Sequence, residues 1–196
     1  MIIYDAEIIN AVPPEDPALR VSGITYCQGW DDKAGMGIAC ICSYDLLADR
    51  AHVFMHDNLN DFASMIAQED KSVMGWNNHR FDDPLLRATI NAPYVSRLKS
   101  HDLAALIYEA AGVQEGERPS GLGLDAVCRA NGLPGKTGEG AAAPMLYQTQ
   151  QFGRLIDYCL GDIYATLRLY RLIAKDGGCI DPRNGDWLTV KVPACN

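Results

Sequence analysis

Apolar and polar positions along this chain change rhythm halfway. In the first half they alternate or run together as strands do; in the second they recur every three to four residues, as on helices. "IIYDAEII" (2–9) is an apolar run that predicts a buried strand, and "NAVPPEDPALR" (10–20) is a proline-rich loop that continues neither element. "RVSGITYCQGW", "GMGIACICSYDLL" and "RAHVFMH" are β-prone and closed by Gly or Asp, which predicts a meander returning beside the first strand. "LNDFASMIAQ" then sets Leu59, Phe62, Met65 and Ile66 at helical spacing, and "SVMGW" is a short buried strand leading into a helix within "NNHRFDDPLLRATI".

Beyond residue 100 helices dominate. "HDLAALIYEAAG" has Asp102 as its N-cap and Gly112 as its stop, "GLDAVCRANGL" ends on Asn-Gly, and "QFGRLIDYCLGDIYATLRLYRLIAK" is the longest helix. Its expected apolar stripe is Phe152, Leu155, Ile156, Cys159, Leu160, Ile163 and Leu167. "DPRNGDWLTVKV" supplies an Asn-Gly turn and an alternating strand, a terminal hairpin arm or edge strand. The pattern predicts an α/β fold: a mixed central β-sheet, with an antiparallel meander plus parallel strands, flanked by helices. It divides into a main domain at 1–175 and a C-terminal hairpin or tail at 176–196 packed on it.

Composition narrows the classes. With 196 residues, 48% of them hydrophobic, one sizeable core is expected. There is no apolar run of about 18 residues and no signal-peptide order at the N-terminus, so a cytoplasmic protein with no membrane partner is expected. Seven cysteines without a CxxC pair predict neither a disulfide framework nor a zinc knuckle. The net charge of -8 disfavours broad adhesion to nucleic acid, yet Arg80, Arg87, Arg97 and Lys99 cluster against only Asp82 and Asp83 and allow a local basic rim.

Two glycine-rich stretches imitate nucleotide motifs. "GLPGKTGEG" has Ala130 where a phosphate-binding loop needs its first glycine, and it follows a helix; "GLGLDA" follows a polar loop, not a strand. Neither is expected to bind a nucleotide.

The first strand holds the chemistry. Asp5 and Glu7 lie two positions apart and so project from the same face of an apolar strand. Asp82 sits where a strand gives way to a helix, and Tyr158 and Asp162 are four apart on the longest helix, hence on one face. Converging carboxylates repel, by on the order of 4 kcal/mol per pair about 4 Å apart at an effective dielectric near 20. Proton uptake or metal binding must relieve this, and carboxylate oxygens select hard cations such as Mg²⁺ or Mn²⁺.

In chain order these segments resemble the Exo I, Exo II and Exo III motifs of the DEDD superfamily of 3′-to-5′ exonucleases, the DnaQ-like branch of the ribonuclease H-like fold. "YDAE" corresponds to Exo I, "NHRFD" with Asn78, Phe81 and Asp82 to Exo II, and "YCLGD" to Exo III. Tyr158, four before Asp162, matches the DEDDy branch; the DEDDh branch has histidine where this chain has Asp157. Ile8 departs from the Thr or Ser that many members carry after the Exo I glutamate.

The resemblance covers roughly residues 1–175. It implies that Asp5, Glu7, Asp82 and Asp162 hold two divalent cations, with Asp5 bridging, and that Tyr158 orients the attacking water. It implies Asn78 as a substrate contact and Phe81 as core packing. Asp102 is expected to be a helix cap, and Trp187 either stacks on a base or anchors packing. The implied activity is hydrolysis of single-stranded DNA or RNA 3′ ends, DNA favoured, to nucleoside 5′-monophosphates. A separate polymerase or replication and repair component is the expected partner. An exoribonuclease or oligonucleotide-degrading enzyme is the alternative, and a non-catalytic binding module a more distant one.

Overall fold

The computed structural model describes residues 1–68, 71–114, 117, 119–135 and 142–194. Five strands form the central sheet: β1 (Ile2–Ile8), β2 (Ile38–Asp45), β3 (Arg50–Met55), β4 (Val73–Gly75) and β5 (Ser100–Asp102), in the order β3-β2-β1-β4-β5. β1, β2 and β3 pair antiparallel, whereas β4 and β5 join parallel to β1. The result is the expected mixed sheet of a ribonuclease H-like α/β fold. Its helices are α1 (Lys33–Met36), α2 (Leu59–Gln68), α3 (Asp82–Thr89), α4 (Leu103–Ala110), α5 (Leu124–Ala130), α6 (Ala143–Gln148) and α7 (Phe152–Asp176). Among the described residues, no helix is long and apolar enough to cross a membrane.

Both faces of β1 are covered, which is why its sequence is nearly continuously apolar. Ile2, Tyr4, Ala6 and Ile8 point to one side and pack with Phe54, Phe62, Leu85 and Leu86 of β3, α2 and α3. Met1 and Ile3 point to the other, among Leu103, Ile107, Leu155, Cys159 and Ile163 of α4 and α7. Each fully buried aliphatic side chain contributes roughly 1.5–3 kcal/mol. Asp5 and Glu7 continue the Ile3 face, so the fold's largest helix lies over them. Helix α7 ends at Gly177, whose left-handed φ of 79° closes a bond from its N–H to the Ile173 carbonyl.

Several local expectations needed correction. "RVSGITYCQGW" forms no strand: it makes a single bridge between Ala11 and Tyr26 and turns at Gly23 and Gly29, both at positive φ. Its polar groups are satisfied instead by side chains, Val21 N–H donating to the Tyr26 hydroxyl and Thr25 N–H to Gln148 Oε1. β5 and α6 carried too few periodic residues to be recognised. Phe152, expected in the stripe of α7, is 39% exposed at the helix start. The C-terminal hairpin, β6 (Gly178–Ile180) with β7 (Trp187–Thr189), is a separate two-stranded sheet. Cys179, Leu188 and Val190 fix it to the α7-side core. Of the rejected nucleotide motifs, "GLGLDA" leads into α5 with no strand before it among the described residues, while residues 136–140 of "GLPGKTGEG" lie outside them, as does Cys195.

β1 and β4 pair only through Ile2 with Val73 and Ile3 with Met74, after which the two strands part. Gly75 stands at the parting: a Cβ there would lie 3.0 Å from the Tyr4 carbonyl oxygen and 2.9 Å from Asn78 Cβ. Gly75→Ala should destabilise the protein by about 1–3 kcal/mol, read as a lower urea midpoint with an unchanged slope. An unaltered midpoint would contradict this packing.

Candidate active site

The separation of β1 from β4 opens a cleft of about 740 Å³, and Asp5, Glu7, Asp82, Tyr158 and Asp162 all line it. Three distant segments therefore meet, as their order in the sequence suggested. Beyond the last β1–β4 pair, the Ala6 N–H faces α3 and donates to Asp82 Oδ1 at 3.1 Å. This bond seats the first residue of α3 against the strand that carries the other two acids. On α7, one turn apart, the Tyr158 hydroxyl donates to Asp162 Oδ2 at 3.1 Å. The Cys159 thiol contacts Asp5 Oδ2 at 3.5 Å, tying α7 to β1.

Electrostatics follow from that packing. Burial raises the Glu7 carboxyl well above the ordinary range, and the neighbouring Asp5, Asp162 and Asp82 charges push it further. Asp82 is raised by burial and by Asp5, against the lowering effect of the Ala6 N–H. Burial and the charges of Glu7, Asp162 and Asp5 raise the Tyr158 phenol, so it remains protonated and acts as a donor. Asp5, Glu7 and Cys159 can each offer a ligand atom within 4.8 Å of the others, the spacing of a cation site. The carboxylates supply hard oxygen donors whose crowding a cation would relieve, so the residues fit a divalent metal.

Other predicted residues fall elsewhere. Asn78 is fully buried behind the cleft, its amide donating to Ser100 Oγ at 2.7 Å and to Asp83 Oδ1 at 3.3 Å. Its side chain is off the cleft lining, and its neighbour Asn77, at a φ of 61°, lines the cleft instead. Tyr4, on the opposite face of β1 from the acids, is core, and its hydroxyl donates to Asp83. Asp102 caps α4 by accepting from Ala104 and Ala105, and it also accepts from the Asn77 and His79 amides, so it holds the Asp82 loop in place. His101 and Trp187 lie away from the cleft lining; Trp187 is 53% exposed on β7.

Phe81 is not simply core. It forms a cleft wall with Trp30, whose ring meets it edge-on at 6.2 Å, and Lys33 Nζ stands 4.7 Å from its ring centroid. Trp76 and Tyr108 form a second aromatic pair on the lining, 6.3 Å apart. Of the expected basic rim only Arg80 lines the cleft, with Lys33 added from α1. Neither Trp30 nor Lys33 was legible as a site residue: Trp30 ends a loop that read as a strand, and Lys33 opens a one-turn helix between two predicted strands.

No family model and no curated protein sequence matches this chain. Among solved structures it is similar to the family B DNA polymerase from the hyperthermophilic archaeon Pyrobaculum calidifontis, with a TM-score of 0.59 at 18% identity. The match covers 88% of this chain and 24% of that chain. A likeness at this identity establishes the fold: a ribonuclease H-like α/β sheet shared with part of a polymerase.

The raised carboxyls make the ion-free protein sensitive to pH. An acid whose folded pKa exceeds its unfolded value binds more protons when folded, so stability falls as pH rises out of the ordinary carboxylate range near about 4. The loss is complete once pH exceeds the folded pKa. In chelator, the melting temperature of the wild type relative to Asp82→Asn should therefore fall between about pH 5 and about pH 8, and divalent cations should remove most of that difference. A difference independent of pH would contradict the shifts.

Proposed function

We propose that this protein is a metal-dependent 3′-to-5′ exonuclease that removes nucleotides from single-stranded ends, DNA in preference to RNA, as nucleoside 5′-monophosphates. The observation that carries the reading is the convergence of Asp5, Glu7, Asp82 and Asp162 with Tyr158, from three separate elements, on the floor of one cleft. The likeness to part of a DNA polymerase supports it, since the matched 24% of that chain is the size of a single domain.

Asp5, Glu7, Asp82 and Asp162 would hold two Mg²⁺ or Mn²⁺ ions, with Asp5 shared. When bound, such a pair supplies a nucleophilic water at neutral pH and charge stabilisation for the leaving 3′ oxygen. The chain's own groups do the rest. Tyr158, protonated and anchored to Asp162, presents its hydroxyl oxygen to the attacking water as an acceptor and orients it without removing its proton. Ala6 N–H and the Asp102 network keep Asp82 in register with β1. Trp30 and Phe81 offer stacking faces for unpaired bases, and Lys33 and Arg80 offer positive charge to the phosphates. Lys33 and Arg80 are the basic side chains on a lining otherwise rich in acids, and in this reading they receive the substrate's phosphates beside the metal-holding carboxylates. A separate polymerase or repair component is the proposed partner.

Asp5→Asn and Asp82→Asn should each lower the release of 5′-monophosphates from end-labelled single strands by at least about 10³-fold while circular dichroism remains native. Tyr158→Phe should lower kcat by about 10²-fold with cation affinity preserved. Retained hydrolysis in the aspartate variants would overturn the reading, and equal rates on matched DNA and RNA strands would overturn the DNA preference.

Stacking is worth about 1–3 kcal/mol per base. Trp30→Ala should accordingly weaken binding of an oligothymidylate by about 5-fold to about 150-fold, measured by anisotropy in Ca²⁺. Unchanged binding would remove Trp30 from the substrate path.

A further inference from the structure

Behind the acids lies a second group of metal-ligating side chains with different chemistry. In the β1–β2 ladder Asp5 stands opposite Cys42 and Glu7 opposite Cys40. Cys40 and Cys42 are two apart on β2, so both project from the face that carries the acids. Cys159 of α7 descends onto the same spot. The three sulfurs lie within 4.8 Å of one another, and all three residues have no exposed surface. Among the described residues, Cys27, Cys128 and Cys179 belong to no such group.

The structure assigns a second, sulfur-based cation site: we propose that Cys40, Cys42 and Cys159 bind a thiophilic d¹⁰ ion of the zinc class, with Asp5 as the fourth ligand. Zinc–sulfur bonds of about 2.3 Å in a tetrahedron set neighbouring sulfurs about 3.8 Å apart. Closing the triad from its present spacing needs a movement of about 1 Å or less per pair. Asp5 Oδ2 adjoins the triad at one corner, 3.5 Å from Cys159 Sγ, and would swing toward Cys40 and Cys42 to complete the tetrahedron. Three thiolates select a soft ion where the carboxylates select a hard one.

Cys159 belongs to two overlapping triads, one with Asp5 and Glu7 and one with Cys40 and Cys42. Asp5 and Glu7 line the cleft and the three sulfurs do not, so a cation from the cleft would reach the carboxylates before the thiols. On binding, three S–H bonds are exchanged for three metal–sulfur bonds and three protons pass to solvent; no electron is transferred. If the exonuclease reading holds, drawing Asp5 onto the sulfur site takes away the ligand shared by the Mg²⁺ pair, so the soft ion is an inhibitor. The binding itself does not depend on that reading.

The test uses the full chain, reduced and free of metal, titrated with Cd²⁺ alone. Thiolate-to-cadmium charge-transfer absorption should grow to one equivalent, and the ¹¹³Cd resonance should fall in the range of three-sulfur ligation. Added Mg²⁺ should not bleach the absorption. Cys40→Ala and Cys42→Ala should each abolish the three-sulfur signal, and Asp5→Asn should weaken Cd²⁺ binding at least about tenfold. Absence of the absorption, a resonance typical of oxygen ligands only, or a three-sulfur signal that survives Cys40→Ala would overturn the proposal. The wild-type resonance counts sulfur ligands directly, so the result stands even if an alanine variant fails to fold. Nuclease assays are separate: Cd²⁺ bound by sulfur in a chain that cleaves no strand would refute the exonuclease and leave this site intact.

Discussion

The Ala6 amide hydrogen-bonds to Asp82, and that bond brings a helix start against a strand that already carries a buried acid, Glu7, and a half-buried one, Asp5. Glu7 and Asp82 lie where burial and neighbouring carboxylates raise the free energy of their charge. Both show the consequence in their raised proton affinities. A fold tolerates such crowding where a cation or proton offsets it, and breaking the arrangement would leave charge uncompensated in the interior. The rest of the architecture serves to hold it. β1 is buried on both faces, α7 covers the acidic face, and Asp102 ties the loop before Asp82 to the start of α4.

The position of the cleft follows from strand order. The parallel strands β4 and β5 join an antiparallel meander at β1, and β1 and β4 pair over only two residues before they diverge. Crevices form where neighbouring strands separate in an α/β sheet, and helix starts and loops supply their polar groups. Here the acids occupy the floor, while Trp30, Phe81, Trp76 and Tyr108 provide apolar walls. The proposed sulfur site lies one layer deeper, so hard and soft donors meet at Asp5 and Cys159.

The acids were legible in the sequence because each depended on local geometry: Asp5 and Glu7 on strand alternation, Asp82 on a strand-to-helix junction, Tyr158 and Asp162 on helical spacing. The sheet and the long helix were legible for the same reason. What escaped depended on contacts across the chain. Asn78 carries a motif position, yet its burial against Ser100 and Asp83 is decided by how β5 and α3 pack. Trp30 sits in a glycine-punctuated loop whose β-prone residues mimic a strand, and Lys33 opens the one-turn helix α1 just after it. The Cys40 and Cys42 pair has the C-x-C spacing of one strand face, but its partner is 117 positions further on at Cys159, and only the β1–β2 register shows that the thiols adjoin the acids.

Electron paramagnetic resonance of Mn²⁺ bound to the wild-type protein tests the central claim most directly, because it reports on the carboxylate cage without requiring a substrate. Two ions held about 3.5–4 Å apart should show exchange-coupled spectra, and Asp5→Asn should collapse them to the signal of isolated manganese. Bound manganese that shows no coupling in the wild type, or a chain that binds none, would contradict the account.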